Sequence, residues 1–365
     1  MKIIAMYLPQ YHSFPENDEW WGKGYTEWTA VKRAKPLFNG HVQPKVPLDG
    51  YYDLVHDQPE TFRRQAELTS KYGVYGFSIY QYWFKGHQLM EKPMEILLAN
   101  PDIDLRYCIT WANETWTRTW YGLQENVLMA QEYGDESDWK RHFDYNLQFF
   151  RDPRYIKVGN RPVFQIYRTH DIEKLSEMKE CWDRWAREAG FDGLFWIGGN
   201  TAQQSDSRRD LMDGWYDFEP GYTLNHHFSR VRRFRYILGT GVRHLRNVIV
   251  SKLTGGKGRM IVERRIPIHW ILENIGTRTY EENEYPGIIA EWDNTPRRDY
   301  KGLIYTGAEP HYFEKILRSL SDKVSGRSED FVFINAWNEW GEGAMLEPTE
   351  SSGYAWLEAV KRAQG

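Results

Sequence analysis

Apolar positions along this chain gather into short runs separated by longer stretches in which they recur every three or four residues. Eight runs have strand length: Ile3–Pro9, Tyr75–Trp83, Leu105–Asn113, Pro162–Tyr167, Leu194–Asn200, Trp215–Pro220, Ile288–Asn294 and Phe331–Asn338. Between several of them the spacing predicts helices. Thr61–Tyr72 follows Pro59, a good first helical residue, and stops at Gly73. Ile172–Ala189 is amphipathic and ends at Gly190, and Tyr312–Leu320 and Tyr354–Ala363 fit the same period. Strand alternating with helix calls for a parallel sheet, and eight such units predict an α/β fold, a closed (β/α)8 TIM barrel, as one catalytic domain over residues 1–365.

Two stretches break this rhythm. Residues 10–55 form a long loop after the first strand, rich in Trp, Tyr, Pro and Gly. An ordered loop of that length usually carries function. Residues 224–286 interrupt the barrel between its sixth and seventh strands. They carry Arg230, Arg232, Arg233, Arg235, Arg243, Arg246, Lys252, Lys257, Arg259, Arg264 and Arg265, with Glu263 as the only acid before Glu273. Phe234, Ile237, Leu238, Leu245, Ile249 and Leu253 add a helical apolar stripe. The expectation is a helical basic insertion suited to peripheral contact with a membrane, an anionic glycan or an acidic partner, against the plainer reading of a solvated insertion.

Composition narrows the function classes. A net charge of −4 over 365 residues gives no general affinity for nucleic acid. Aromatic residues make up 16% of the chain, including 17 Trp and 24 Tyr, and flat aromatic faces suit the C–H faces of sugar rings. Cys108 and Cys181 read as two buried free thiols, not a disulfide. The apolar start Met1–Pro9 is too short for a signal peptide, and no stretch is long enough to span a bilayer, so a soluble cytoplasmic protein is expected. No metal or cofactor is expected: His226 and His227 are adjacent, a poor ligand spacing, and His12 and His41 lack companions.

The strongest chemical signal is the run Phe331 to Gly343. Its apolar half, Phe331–Ala336, has no clear alternation and fits a strand covered on both faces. It leads into Glu339 and Glu342, and chemistry in a parallel barrel sits where strands end. Two acids after a strand also suit the start of a surface helix, but such a start needs none of Trp337, Trp340, Gly341 and Gly343. The remaining strand ends repeat a pattern of aromatic, amide and carboxylate residues that suits a polyhydroxylated substrate. Candidate substrate-binding residues are Tyr11, His41, Tyr80, Trp83, Trp111, Asn113, Glu114, Trp116, Tyr167, Asn200, Glu219, Glu291, Trp292, Asp293, Asn338 and Trp340.

Three motifs together carry a family resemblance. Ala112-Asn113-Glu114-Thr115-Trp116, Gly40-His41-Val42-Gln43-Pro44 with Asp49-Gly50-Tyr51-Tyr52-Asp53, and Trp337-Asn338-Glu339-Trp340-Gly341-Glu342-Gly343 resemble the WbsX-type, glycoside hydrolase family 99-like domain over nearly the whole chain. The resemblance implies a (β/α)8 barrel and a setting in bacterial surface polysaccharide and lipopolysaccharide biosynthesis, where such domains are often labelled glycosyltransferases. The related endo-α-mannosidases carry a similar Asn-Glu-Trp-x-Glu-Gly motif, matched by Asn338, Glu339, Trp340, Glu342 and Gly343. It implies that Glu339 deprotonates a sugar 2-hydroxyl, which attacks C1 to give a 1,2-anhydro intermediate, and that Glu342 is general acid, then base.

The expected function is thus a retaining glycoside hydrolase or transglycosidase on a bacterial polysaccharide, α-mannoside-like by the resemblance, with Glu339 and Glu342 as its pair. Within that class, Glu114 as acid/base with Glu291 as nucleophile is a rival assignment. A glycosyltransferase and a non-catalytic glycan-binding protein are the alternatives. The one Asp-x-Asp, Asp102-Ile103-Asp104, precedes a strand, lies at the wrong end of a barrel and reads as a turn.

Overall fold

The computed structural model describes residues 1–117, 127–203, 208–253 and 263–365. Nine parallel segments form the central sheet: β1 (Lys2–Tyr7), β2 (Gly76–Phe84), β3 (Tyr107–Trp111), β4 (Arg161–Ile166), β5 (Phe195–Asn200), β6 (Gly214–Asp217), β7 (Glu284–Tyr285), β8 (Gly287–Ile288) and β9 (Phe331–Ile334). Their order is β7-β6-β5-β4-β3-β2-β1-β9-β8. β7 and β8 are halves of one stave broken at Pro286, which has no N–H to give to a ladder. β7 pairs with β6 (Trp215 opposite Glu284) and β8 pairs with β9 (Gly287 opposite Phe333), so the sheet closes across the proline. The Pro286 carbonyl still accepts from Phe333 N at 2.9 Å. The result is the (β/α)8 barrel.

Two strands differ from expectation. The seventh begins at Glu284, not Ile288, because the ladder starts before Pro286, while the apolar run Ile288-Ile289-Ala290 drew the expected boundary forward. The eighth stave ends at Ile334; Asn338–Glu339 instead forms a two-residue antiparallel ladder with Ala344–Met345.

The expected helices form with small shifts. Pro59–Tyr72 is α2 and Leu175–Glu188 is α3, preceded by a 3-10 turn at Thr169–Asp171, whereas α1 (Glu27–Arg33) is a helix inside the stretch 10–55 that was expected to be loop. α2 ends at Gly73, whose φ of 79° is left-handed and lets its N–H reach Thr69 O. The stretch 224–286 is not uniform. α4 (Arg230–Leu253) stands largely exposed, whereas α5 (His269–Thr277) buries Ile271, Leu272 and Ile275, and Glu284–Tyr285 belongs to the barrel wall. α6 (Thr295–Arg298), α7 (Pro310–Val324) and α8 (Ala355–Gln364) complete the elements used below.

The aromatic content goes largely into the core. Trp111, Trp182, Trp196, Trp215, Trp337 and Trp340 are among the largest fully buried side chains. Each such ring removes about 150–250 Å² from water, a gross gain of about 4–6 kcal/mol. Cys108 is buried and Cys181 is only half-buried, both as free thiols. No helix among the described residues is long and apolar enough to cross a membrane.

Candidate active site

A cavity of about 250 Å³ opens at the C-terminal ends of the barrel strands. Its walls include Tyr80 and Tyr82 of β2, Glu114 and Tyr167 beyond β3 and β4, Phe218 after β6, Arg297 of α6, and Glu339 and Glu342. Of the sequence candidates, these are Glu339, Glu342, Tyr80, Glu114 and Tyr167. Among the described residues, the aromatic surface facing the cavity is therefore tyrosine and phenylalanine, not indole. Burial raises the Tyr80, Tyr82 and Tyr167 phenols well above their ordinary value, so they stay protonated at neutral pH.

The centre of the site is Arg297. Its Nη1 lies 2.9 Å from Glu342 Oε1, its Nη2 3.1 Å from Glu339 Oε2 and its Nε 2.6 Å from Glu27 Oε1 of α1. Sharing one guanidinium brings the two cavity carboxyls to a single side chain, the kind of proximity that the acid pair of a glycosidase needs. Three carboxylates on one cation leave excess negative charge in a poorly solvated place. Burial, with Glu342 and Glu27 repelling and Arg297 opposing, pushes Glu339 up to about 8. Glu342 is raised as well, by burial first. The pair therefore holds a proton at neutral pH while remaining partly ionised, as acid–base chemistry needs. The two differ in access: the Glu339 side chain is 9% exposed and that of Glu342 27%.

Local sequence explains how Arg297 arrives there. Asp293 Oδ1 accepts from Thr295 N and Oγ1 at 3.1 and 2.7 Å, which turns the chain into α6. Pro296 suits the first turn of that short helix. Asp293 Oδ2 accepts from Gln43 Nε2 at 2.6 Å and pairs with His41 Nε2 at 2.7 Å, tying the loop 10–55 to α6. His41 Nδ1 accepts from Leu37 N at 3.0 Å, so the ring is neutral and donates from Nε2. These bonds outweigh burial and hold the Asp293 carboxyl below its ordinary value.

The glutamate turn is clamped just as firmly. Asn338 Oδ1 accepts from Leu8 N at 2.8 Å and its Nδ2 donates to Leu8 O at 3.0 Å, closing the motif onto the end of β1. Tyr11 donates to the Asn338 carbonyl and accepts from Trp340 N at 3.3 Å. Trp340 is 1% exposed, and its indole donates to Glu347 Oε2 at 2.8 Å. Gly343 has a left-handed φ of 62°, and a Cβ there would meet Asp293 O at 2.7 Å. Gly341 is also required, since a Cβ would fall inside contact distance of Glu27 Oε1 and Arg297 Nε.

The other candidates lie outside the cavity lining. Trp83 stacks on His142, and Trp111 donates its indole N–H to Trp83 O at 3.2 Å. Trp116 packs between Trp20 and Tyr82. Asn113 bonds both N and O of Arg168 through its amide. Asn200 donates to Asp217, and Glu219 is fully buried against Arg278 at 2.8 Å. Trp292 lies against Tyr305. Glu291 pairs with Lys45 at 2.8 Å and does not join Glu114 in the cavity. Glu114 itself is 2.5 Å from Arg168, yet burial still pushes it up to about 7. Asp102 pairs with Arg63 at the N-terminal side of β3, away from the cavity. Arg297 and Glu27 carried no motif signal; the only hint was the Asp-Asn-Thr-Pro turn that precedes Arg297. Among the described residues no group of three or more His, Cys, Asp or Glu is placed to hold a metal ion.

Residues 3–360 match the family model described as Glycosyltransferase WbsX. The chain belongs to this family. A relative from Xanthomonas campestris pv. campestris (strain ATCC 33913), described as uncharacterized protein WxcX, is 36% identical over 365 residues, covering 99% of this chain and 49% of its own length. The same protein from strain B100 gives the same identity and coverage. The chain thus spans about half the length of the curated relatives it matches. Among solved structures, a glycoside hydrolase-like protein superposes with a TM-score of 0.60 at 14% identity, covering 99% of this chain and 93% of its own. The GH99 endo-alpha-mannosidase from Bacteroides thetaiotaomicron gives 0.54 at 14% identity, covering 99% and 95%. At that identity the likeness is one of fold, and it agrees with the barrel described above.

Proposed function

We propose that this WbsX-family chain is a carbohydrate-active enzyme that cleaves or transfers glycosidic bonds of a bacterial polysaccharide with retention, using Glu339 and Glu342. The observation that carries this is the pair of glutamates on one arginine in an aromatic cavity, where burial raises both carboxyls above their ordinary value. Burial favours a proton on Glu339 until a sugar 2-hydroxyl donates to it and stabilises its ionised form; Glu342 then carries the proton. Glu339 removes the hydroxyl proton, O2 attacks C1, the C1–O bond to the leaving group breaks, and Glu342 protonates the departing oxygen. Water then adds at C1, giving a proton to Glu342 while O2 recovers its own from Glu339. Glu342 must trade protons with water each cycle, which fits its greater exposure. The tyrosines and Phe218 supply ring faces and phenol donors to the sugars.

The test is reducing-end release from α-linked and surface-polysaccharide oligosaccharides by wild type, Glu339→Gln and Glu342→Gln. Both variants should lose about 10²–10⁴-fold in rate. An aryl glycoside whose leaving group needs no protonation should restore aglycone release in the first step of Glu342→Gln and not of Glu339→Gln. The second reading, favoured by the family description, is a glycosyltransferase. Nucleotide release from a nucleotide sugar that depends on an acceptor glycan, with no cleavage, would establish it in place of the first.

A further inference from the structure

α4 is an amphipathic helix turned inside out. Twelve large apolar residues are exposed among the described residues, and nine of them lie on this one helix. At 100° per residue, Phe234, Leu238, Val242, Leu245 and Ile249 fall on one face, each 49–64% exposed. The opposite face meets the protein: Arg232 donates to Trp270 O at 2.6 Å and pairs with Glu273, and Tyr236 is half-buried. Arg230, Arg235, Arg246 and Lys252 are exposed. The helix holds seven Arg and Lys and no Asp or Glu, in a chain whose net charge is −4.

We propose that α4 is a docking surface for an anionic lipid bilayer, lying in the interface with its apolar face in the acyl boundary and its cations on headgroup phosphates. An outward apolar stripe flanked by cations matches an interface that is apolar within and negative at its rim. A soluble polyanion would meet the cations but leave the stripe in water. A second copy would oppose one strongly basic helix with another. α4 joins β6 through Thr223–His227, at the strand ends where the cavity opens, so docking holds that end of the barrel near the membrane. A lipid-tethered glycan is the substrate this placement suits; that consequence, unlike the docking, rests on the proposed function.

Sedimentation of the full chain with phosphatidylglycerol–phosphatidylcholine vesicles tests the docking without any activity readout. Wild type should pellet with these vesicles at least about tenfold more than with phosphatidylcholine alone, and lose that binding in high salt. Leu238→Glu/Leu245→Glu, both solvent-facing, should lose about tenfold, and Arg235→Gln/Arg246→Gln should lose several-fold, with unchanged circular dichroism and melting. The proposal is overturned if wild type stays in the supernatant, if it forms a lipid-free dimer that the Leu→Glu pair dissolves, or if dextran sulfate captures wild type and the Leu→Glu pair alike while vesicles do not distinguish them.

Discussion

Glu339→Gln should stabilise this protein at alkaline pH while removing its activity. The wild-type carboxyl is pushed from 4.5 up to about 8, by burial first, with Glu342 and Glu27 adding repulsion and Arg297 opposing. Between those values the native state binds a proton that the unfolded chain has released. Wild-type stability therefore falls as pH rises from about 4.5 to about 8 and the whole loss is present above that. At about 1.4 kcal/mol per pH unit the gap corresponds to roughly 4–5 kcal/mol. Glutamine keeps an acceptor oxygen for Arg297 Nη2 but gives up the ion pair, which takes back part of the gain. The expected net gain is about 2–4 kcal/mol near pH 9, shrinking to about zero or below near pH 5. Urea unfolding of both proteins across that range measures it, as the difference in unfolding free energy against pH. A difference that is flat, or that shrinks as pH rises, would refute the account of Glu339 as a buried carboxyl held against its own ionisation.

Arg297→Met leaves Glu27 and both cavity glutamates without their shared cation; it should cost about 3–5 kcal/mol at neutral pH by chemical denaturation, less in acid where the carboxyls protonate. Gly341→Ala forces Glu27 and Arg297 apart and should cost about 1–3 kcal/mol in the same assay, with loss of turnover. Asp293→Asn should cost about 1.5–3 kcal/mol at pH 7, because its carboxylate accepts from Thr295, Gln43 and His41. The Asp293 carboxyl lies below its ordinary 3.8, so the wild-type advantage is present above that value and fades as pH falls through the lower native one, which thermal melts at acid pH would follow.

What the sequence by itself determined is what local periodicity encodes. Apolar runs and amphipathic stretches set the barrel, Pro59 and Gly73 bracket α2, and the acid pair marks the strand end that carries Glu339 and Glu342. The basic, apolar helix at 230–253 was equally legible, because its pattern is contained within its own turns. Tertiary structure alone decided the partners. Arg297 meets Glu27, Glu339 and Glu342 across separations of 270, 42 and 45 residues, and no short window contains that pairing. It also decided which ring faces reach the cavity. Trp111 and Trp340 lie at strand ends like Tyr80 and Tyr167, but the indoles turn inward to bond Trp83 O and Glu347 while the phenols line the cavity. Type and position in sequence were alike; direction was set by which neighbour could satisfy a buried N–H. Pro286 shows the same limit in the backbone: it reads locally as a strand boundary, and only closure between β6 and β9 makes it the middle of a stave.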